Sequence, residues 1–223
     1  MPLCGTPEHM VSLAELRREY SLTGLAEEDA PAEPFSLFGH WLQAARDAEV
    51  PEPNAMTLAT TSKDGEPCAR TVLLKSFDAD GFVFFTNYGS AKGQELHHNP
   101  RAALCFAWLP LERQVRISGA VEKVSREESE TYFRSRPRGS QLGAWASEQS
   151  VVVAGRQVLE ARLAELAAEY EGREIPAPPY WGGYRLAPAS LEFWQGRPNR
   201  LHDRLLYARD LASRTWSLSR LSP

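Results

Sequence analysis

No run in this 223-residue chain approaches the roughly 18 consecutive apolar residues that a membrane-spanning helix needs. The N-terminal stretch carries Glu8, Glu15, Arg17, Arg18 and Glu19 where a secretory signal requires an apolar segment, so a soluble cytoplasmic protein is expected. Cysteine is scarce. Cys4, Cys68 and Cys105 lie too far apart for a zinc knuckle and cannot all pair, which excludes a disulfide framework, fits a reducing compartment and leaves no metal site expected. There is also no surplus of positive charge: 25 Lys and Arg against 29 Asp and Glu give a net charge of −4, the wrong balance for coating nucleic acid. No GxSxG elbow, HExxH, Walker loop or strand-borne GxGxxG occurs, so hydrolase, zinc-protease, nucleoside-triphosphatase and Rossmann readings lack their parts.

What is present is an ordinary globular composition, 43% hydrophobic and 24% charged, enough for a sizeable core. Residues 1–33 are polar, end in DAPAEP and read as a mobile segment with a short helix around LAELRREY; residues 34–223 read as one domain. The spacing of Phe35, Phe38, Trp41, Leu42 and Ala45 predicts an amphipathic helix from Phe35 to Glu49. MTLATT, CARTVLLKSF, GFVFFTN, RAALCFAW and RQVRISGAVEKV are strand-like and are separated by turn signals such as KDGE and DADG, the rhythm of an antiparallel meander. Ser90 caps a short helix that Pro100 stops, and Ser125 with Glu128 forms a capping box. A longer helix, about Gly155 to Glu171, carries an apolar stripe of Val158, Leu159, Leu163 and Leu166. Strands follow at YWGGYRLA, LEFWQG, RLHDRLLYAR and TWSLSRL. The class is mainly β with flanking helices.

Three basic clusters invite an anion. Arg200, His202 and Arg204 alternate, so on a strand they share one face beside Trp194; the reading without function is a charged edge strand that resists pairing. The Ser90 helix start offers free backbone donors beside Lys92, a phosphate cradle or simply a capped helix. Tyr132, Arg134, Arg136, Arg138 and Ser140 crowd around Pro137, suited to a phosphate monoester or to a solvated helix end. Arg70 and Lys75 bracket TVLL five residues apart, an odd separation that places them on opposite faces; the reading without function is that both snorkel to the barrel's rim. His202, between two arginines, is expected to stay neutral near pH 7.

RTVLLK, FFTN, GSAKG, ERQVR, YFRSRPRGSQ, EQS, WGGY, EFWQG, RLHDR and the terminal RLSP, in that order, resemble the pyridoxine 5'-phosphate oxidase family from about Arg17 to the C-terminus. The resemblance implies an antiparallel split β-barrel homodimer with FMN at the subunit interface. It also implies oxidation of pyridoxine or pyridoxamine 5'-phosphate to pyridoxal 5'-phosphate, with oxygen reoxidising the flavin to give hydrogen peroxide. Carried over, Arg70 and Lys92 hold the flavin phosphate, Val72, Leu73 and Lys75 line its ring, and Phe85 and Thr86 sit beside it. Gln114, Gln149, Ser150, Trp194 and Arg204 complete the cofactor site, partly from the second subunit. Lys75, Tyr132, Arg136 and Ser140 grip the substrate phosphate, while Arg200 and His202 cover the reacting face of the pyridine ring and serve as the catalytic pair. Arg17 to Tyr20 resemble a terminal segment that folds over the substrate. Ala91 stands where the family usually carries arginine, removing a charge-assisted contact of about 1.5–3 kcal/mol. Two alternatives accompany this reading: a phenazine-type flavin oxidase of the same barrel class, and a non-catalytic flavin or pyridoxal-phosphate carrier.

Overall fold

The computed structural model describes residues 19–22, 24–210 and 212–223, so Arg17 and most of the LAELRREY helix lie outside the described residues. The first long helix, α1, runs Pro34–Asp47 and turns Leu37, Phe38, Trp41 and Ala45 inward. Proline at its first position costs nothing there, because that N–H has no intrahelical partner. α1 closes a barrel made from one antiparallel sheet. Phe38 meets Phe77, Phe82 and Phe106 edge to face at 4.9, 5.0 and 5.1 Å, and each buried ring of this kind contributes about 1.5–3 kcal/mol.

The sheet begins with a hairpin, β1 (Ala55–Thr61) and β2 (Pro67–Leu73), whose turn is held by Ser62 Oγ accepting from the N–H groups of Asp64 and Glu66. β3 (Ser76–Asp78) and β4 (Gly81–Asn87) form a second hairpin. Helix α2 (Ala91–His98) then leads into β5 (Arg101–Trp108) and β6 (Arg113–Lys123). Three helices follow, α3 (Arg126–Ser135), α4 (Arg138–Ala146) and α5 (Arg156–Glu169), before β7 (Trp181–Gln195), β8 (Asp203–Arg209) and β9 (Trp216–Arg220). The strand order is β2-β1-β5-β6-β7-β4-β3, with β8 on β7 and β9 on β8.

β7 is what splits the barrel. One edge pairs with β6 along most of its length; the other pairs first with β4 (Trp181 to Leu186) and then with β8 (Ser190 to Gln195). Pro188 sits at the change of partner, where its missing N–H is tolerated, opposite an irregularity in β6 between Ser118 and Gly119. Gly119 is required there, since a Cβ would lie 2.0 Å from the Ala187 carbonyl oxygen.

Four expectations need correction. CARTVLLKSF is two strands, because Leu74 turns aside to exchange hydrogen bonds with Asn54 and the chain changes partner from β1 to β4. YWGGYRLA and LEFWQG are one strand. α4 begins straight after Pro137 and was hidden by its glycines and weak periodicity, with Leu142 its only buried residue. In α5 only Leu166 is buried, against Phe133, Ile175 and Trp181, while Val158, Leu159 and Leu163 remain 37–45% exposed.

Candidate functional site

The turn at Leu74 decides the site. Because β2 ends at Leu73, parity no longer separates Arg70 from Lys75, and both line one cleft of about 840 Å³ with Val72, Leu73, Phe85, Thr86, Lys92, Tyr132, Arg136, Ser140, Gln149 and Trp181. Eleven of the residues singled out in the sequence therefore converge from β2, β4, α2, α3, α4 and the segments that follow β2, α3 and α4, and the opposite-face expectation for Arg70 and Lys75 is overturned. At one end stands the α2 N-terminus, capped by Ser90, whose Oγ accepts from the Gly93 N–H at 3.3 Å. Lys92 Nζ donates to Gln149 Oε1 at 3.0 Å and to Thr86 Oγ1 at 3.3 Å, which places Gln149 in the same chain's cleft. Ser150 adjoins it, its Oγ accepting from the Ala91 N–H at 3.2 Å.

Arg70 is aimed by two residues that sequence reasoning missed. Its Nη2 meets Glu95 Oε2 at 2.8 Å, its Nη1 donates to Thr60 Oγ1, and Thr60 in turn donates to Glu95. The available signal was the position of Glu95 one helical turn beyond Lys92. Burial would raise the Glu95 carboxyl's pKa, but the Thr60 hydrogen bond and the Arg70 charge outweigh it and hold it below its ordinary value. Lys92 is lowered, first by burial and then by Arg70, with Glu95 acting the other way.

At the other end Phe85 stacks on Tyr132 at 4.1 Å and on Trp181 at 5.4 Å, and the Arg136 guanidinium lies 4.8 Å over the Trp181 ring. Burial pulls Arg136 below its usual pKa, and its Nη1 is buried without a hydrogen-bond partner among the described residues. A buried guanidinium N–H left unpaired is costly unless a ligand completes it. Arg138, by contrast, is spent on the carbonyls of Tyr170 and Arg173.

Gln114, Trp194, Arg204, His202 and Tyr20 gather elsewhere. Gln114, Trp194 and Arg204 form a cross-strand row on β6, β7 and β8, and Trp194 is eleven residues along β7 from Gly183, the partner of Phe85, roughly 36 Å at strand rise. Here the same-face expectation fails. Arg200 ends a short 3-10 turn with φ 61° and is exposed, and His202 precedes β8, so only Arg204 is on the strand. Arg204 already has its anion: its Nε donates to buried Glu192 Oε1 at 2.8 Å, a carboxylate shared with Arg116. The His202 ring lies 4.7 Å from Trp194 and 5.5 Å edge-on to Tyr20. Its pKa is lowered as expected, though burial comes first, Arg200 second, and Asp203 opposes both. The Arg197 N–H donates to His202 Nδ1 at 3.1 Å, so the neutral ring carries its proton on Nε2.

Two comparisons of sequence bear on this geometry. Residues 42–169 match the family described as pyridoxamine 5'-phosphate oxidase, and residues 181–223 match the pyridoxine 5'-phosphate oxidase C-terminal dimerisation region. A pyridoxine/pyridoxamine 5'-phosphate oxidase of Burkholderia mallei is 58% identical over 215 residues, 96% of this chain and 100% of that one, and a Burkholderia vietnamiensis relative of the same name is 59% identical over the same span. Among solved structures, PhzG from Burkholderia lata in complex with tetrahydrophenazine-1-carboxylic acid superposes with a TM-score of 0.86 at 34% identity, covering 92% of this chain and 100% of that one. A pyridoxamine 5'-phosphate oxidase-related, FMN-binding protein of Nostoc punctiforme shares the fold, with a TM-score of 0.68 at 19% identity over 90% of this chain and 100% of its own.

Proposed function

This chain belongs to the pyridoxamine 5'-phosphate oxidase family, and from that membership we propose that it oxidises pyridoxine or pyridoxamine 5'-phosphate to pyridoxal 5'-phosphate, with FMN as its cofactor. The observation that carries the reading is Arg136, a half-buried cation with an unpaired N–H in the same cleft as Arg70 and Lys92. Two cationic ends flanking an apolar, aromatic middle suit two monophosphates with flat rings between them.

The donor set fits FMN, and a cleft of about 840 Å³ lies within the roughly 300–1,000 Å³ usual for small-molecule sites. Arg70, Lys92 and the α2 N-terminus would take its phosphate; Val72, Leu73, Lys75, Phe85, Thr86, Gln149 and Ser150 would border the rest. When bound, FMN would supply the acceptor for the two electrons that leave the substrate, oxygen would take them up with two protons as hydrogen peroxide, and from the amine substrate water would release the nitrogen as ammonia. Lys75, Tyr132, Arg136 and Ser140 would hold the substrate phosphate, anchoring the ring at a distance from the reacting carbon. His202, with its proton on Nε2 and Nδ1 engaged, is set to donate a hydrogen bond to the substrate rather than to remove a proton. Arg200 would stabilise negative charge as it develops.

Gln114, Trp194, Arg200, His202 and Arg204 can join this chemistry only from a second copy. Apolar surface flanks both halves. A groove of Trp145, Val151, Val153, Val158 and Leu159 shares Asn87 and Gln149 with the cleft, while Leu22, Leu109 and Leu201 stand exposed around the Trp194 wall. In an isologous dimer such surfaces meet twice, and each cleft would receive the partner's wall.

A PhzG-like activity on an unphosphorylated aromatic is the rival reading, and the unpaired Arg136 speaks against it. Anaerobic mixing of the FMN-loaded protein with pyridoxine 5'-phosphate should bleach the flavin, whereas unphosphorylated pyridoxine should do so far more weakly. Equal bleaching by both, or by neither, sinks the proposal.

A further inference from the structure

Tyr20 reaches the Trp194 wall from a stretch of chain whose described residues ahead of α1 form one short 3-10 turn, Glu27–Asp29, and no other regular structure, yet are held at defined points. Glu112 Oε2 accepts from the N–H groups of Ser21 and Leu22 at 3.0 and 3.2 Å. Asp203 Oδ2 accepts from the Leu25 N–H at 2.9 Å. The strongest tie comes from the last strand. Arg220 donates from Nε to Glu27 Oε1 at 2.7 Å and from Nη2 to Glu27 Oε2 at 2.6 Å, a bidentate pair, and Nη2 also donates to the Leu25 carbonyl at 2.9 Å. Its remaining nitrogen, Nη1, donates to Asp203 Oδ1 at 2.7 Å. Arg220's hydrogen bonds draw the Glu27 carboxyl down to about 2 from its ordinary 4.5.

One guanidinium thus joins the N-terminal stretch to the residue next to His202. Arg197 closes the circuit: its Nε lies 3.5 Å from Asp203 Oδ2, its Nη1 donates to the Leu22 carbonyl at 3.2 Å, and its backbone N–H is the donor that sets the His202 tautomer. Tyr20 itself packs edge-on against Trp194 at 5.6 Å and His202 at 5.5 Å. The contact needs Gly196, where a Cβ would lie 2.7 Å from the Tyr20 ring.

We propose that Arg220 is a positioning residue: by bridging Glu27 and Asp203 it fixes Tyr20 and His202 as one preorganised wall, so that the C-terminal strand sets how tightly the substrate is held. The inference rests on the reading above, in which this wall faces the substrate of the partner's cleft. A side chain that only contributed to folding would change stability alone; a positioning residue changes KM and the order of the stretch it holds.

The test uses the full-length FMN-loaded protein with Arg220→Gln, Arg220→Lys, Glu27→Gln and Gly196→Ala, read by hydrogen exchange of the peptide covering residues 19–31 and by steady-state kinetics with pyridoxine 5'-phosphate. Arg220→Gln should speed exchange in that peptide about tenfold, about 1.4 kcal/mol of lost protection, with the β5 and β6 peptides unchanged. KM should rise about three- to tenfold with kcat within about twofold, and Arg220→Lys should recover part of both. Gly196→Ala should raise KM while leaving exchange at Glu27 as in the parent, because it displaces the ring without touching the clamp. Unchanged exchange in Arg220→Gln overturns the clamp, and loosened exchange with unchanged KM overturns its link to the wall. Failure of the underlying reading shows separately, as absence of turnover in the parent protein before any variant is compared.

Discussion

The cleft around Arg136 and the wall around Trp194 use the same side chains to opposite ends. In the wall, three arginines are matched by carboxylates of the chain itself, Arg204 by Glu192 and Arg197 and Arg220 by Asp203, while the exposed Arg200 has no such partner among the described residues. In the cleft, among the described residues, Arg136 keeps an unpaired buried N–H and Lys92 donates only to neutral acceptors, Thr86, Ser90 and Gln149. A matched arginine fixes geometry, and an unmatched one that borders a cleft can take an anion; Arg209, whose Nε is also unpaired, lies over Trp216 and borders no such cleft. Arg70 is intermediate, aimed by Glu95 yet bordering the open cleft. The lesson is that counting cations finds both regions, whereas only the placement of carboxylates tells the binding half from the shaping half.

The largest effect should come from separating the halves. Arg136→Ala cripples the cleft and His202→Ala the wall, and each homodimer should lose most of its activity. Mixed one to one after unfolding and refolding together, half of the dimers carry both lesions on one site and neither on the other, so about a quarter of the parent activity should return. If each chain held a complete site of its own, mixing would restore nothing, and the division into cleft and wall would be wrong.

Much of this is legible in the amino-acid sequence. β6 alternates inward Val115, Ile117 and Val121 with exposed neighbours, and the Ser90 and Ser125 caps fall where their sequences put them. The misreadings share a cause: strand parity holds only while a strand persists. Leu74 leaves the ladder to bond Asn54, so Arg70 and Lys75 reach one cleft; the Pro198–Arg200 turn precedes β8, so Arg200 and His202 never share its face. Contacts distant in sequence were invisible for a different reason. Glu95 under Arg70 and Glu27 on Arg220 are ordinary surface-type residues until the fold brings their partners, and α5's apolar stripe reads as core although most of it is exposed on this chain.

The second prediction sharpens the intermediate case. Arg70→Ala removes a charge-assisted contact and strands Glu95, whose side chain is only 12% exposed, beside the anion; FMN affinity should fall about 100-fold, near 3 kcal/mol. Arg70→Ala with Glu95→Ala should be less damaging than the sum of the single changes, in both FMN fluorescence titration and thermal unfolding, because the orphaned carboxylate is gone. Strict additivity would mean that Glu95 does not orient Arg70. The sign with pH follows from the lowered Glu95 value: its contribution is complete above its ordinary 4.5 and is lost as pH falls through the lower folded value.

The smallest effect concerns His202, where the wall's chemistry is subtlest. Its folded pKa lies below the ordinary 6.5, chiefly through burial and secondarily through Arg200. The unfolded chain therefore binds the proton first on acidification, and the histidine's contribution is lost as pH drops from 6.5 through the folded value. The acid limb of kcat/KM should accordingly lie below 6.5. Arg200→Ala should move it upward by the lesser share, Trp194→Ala by more because it opens the ring to water, and Asp203→Asn downward because Asp203 stabilises the charged form. Ring-proton titration of His202 by NMR gives the same order without relying on turnover. An acid limb that moved down in Arg200→Ala would show that the arginine does not face the imidazole, and with it would go the account of how the wall keeps its histidine neutral.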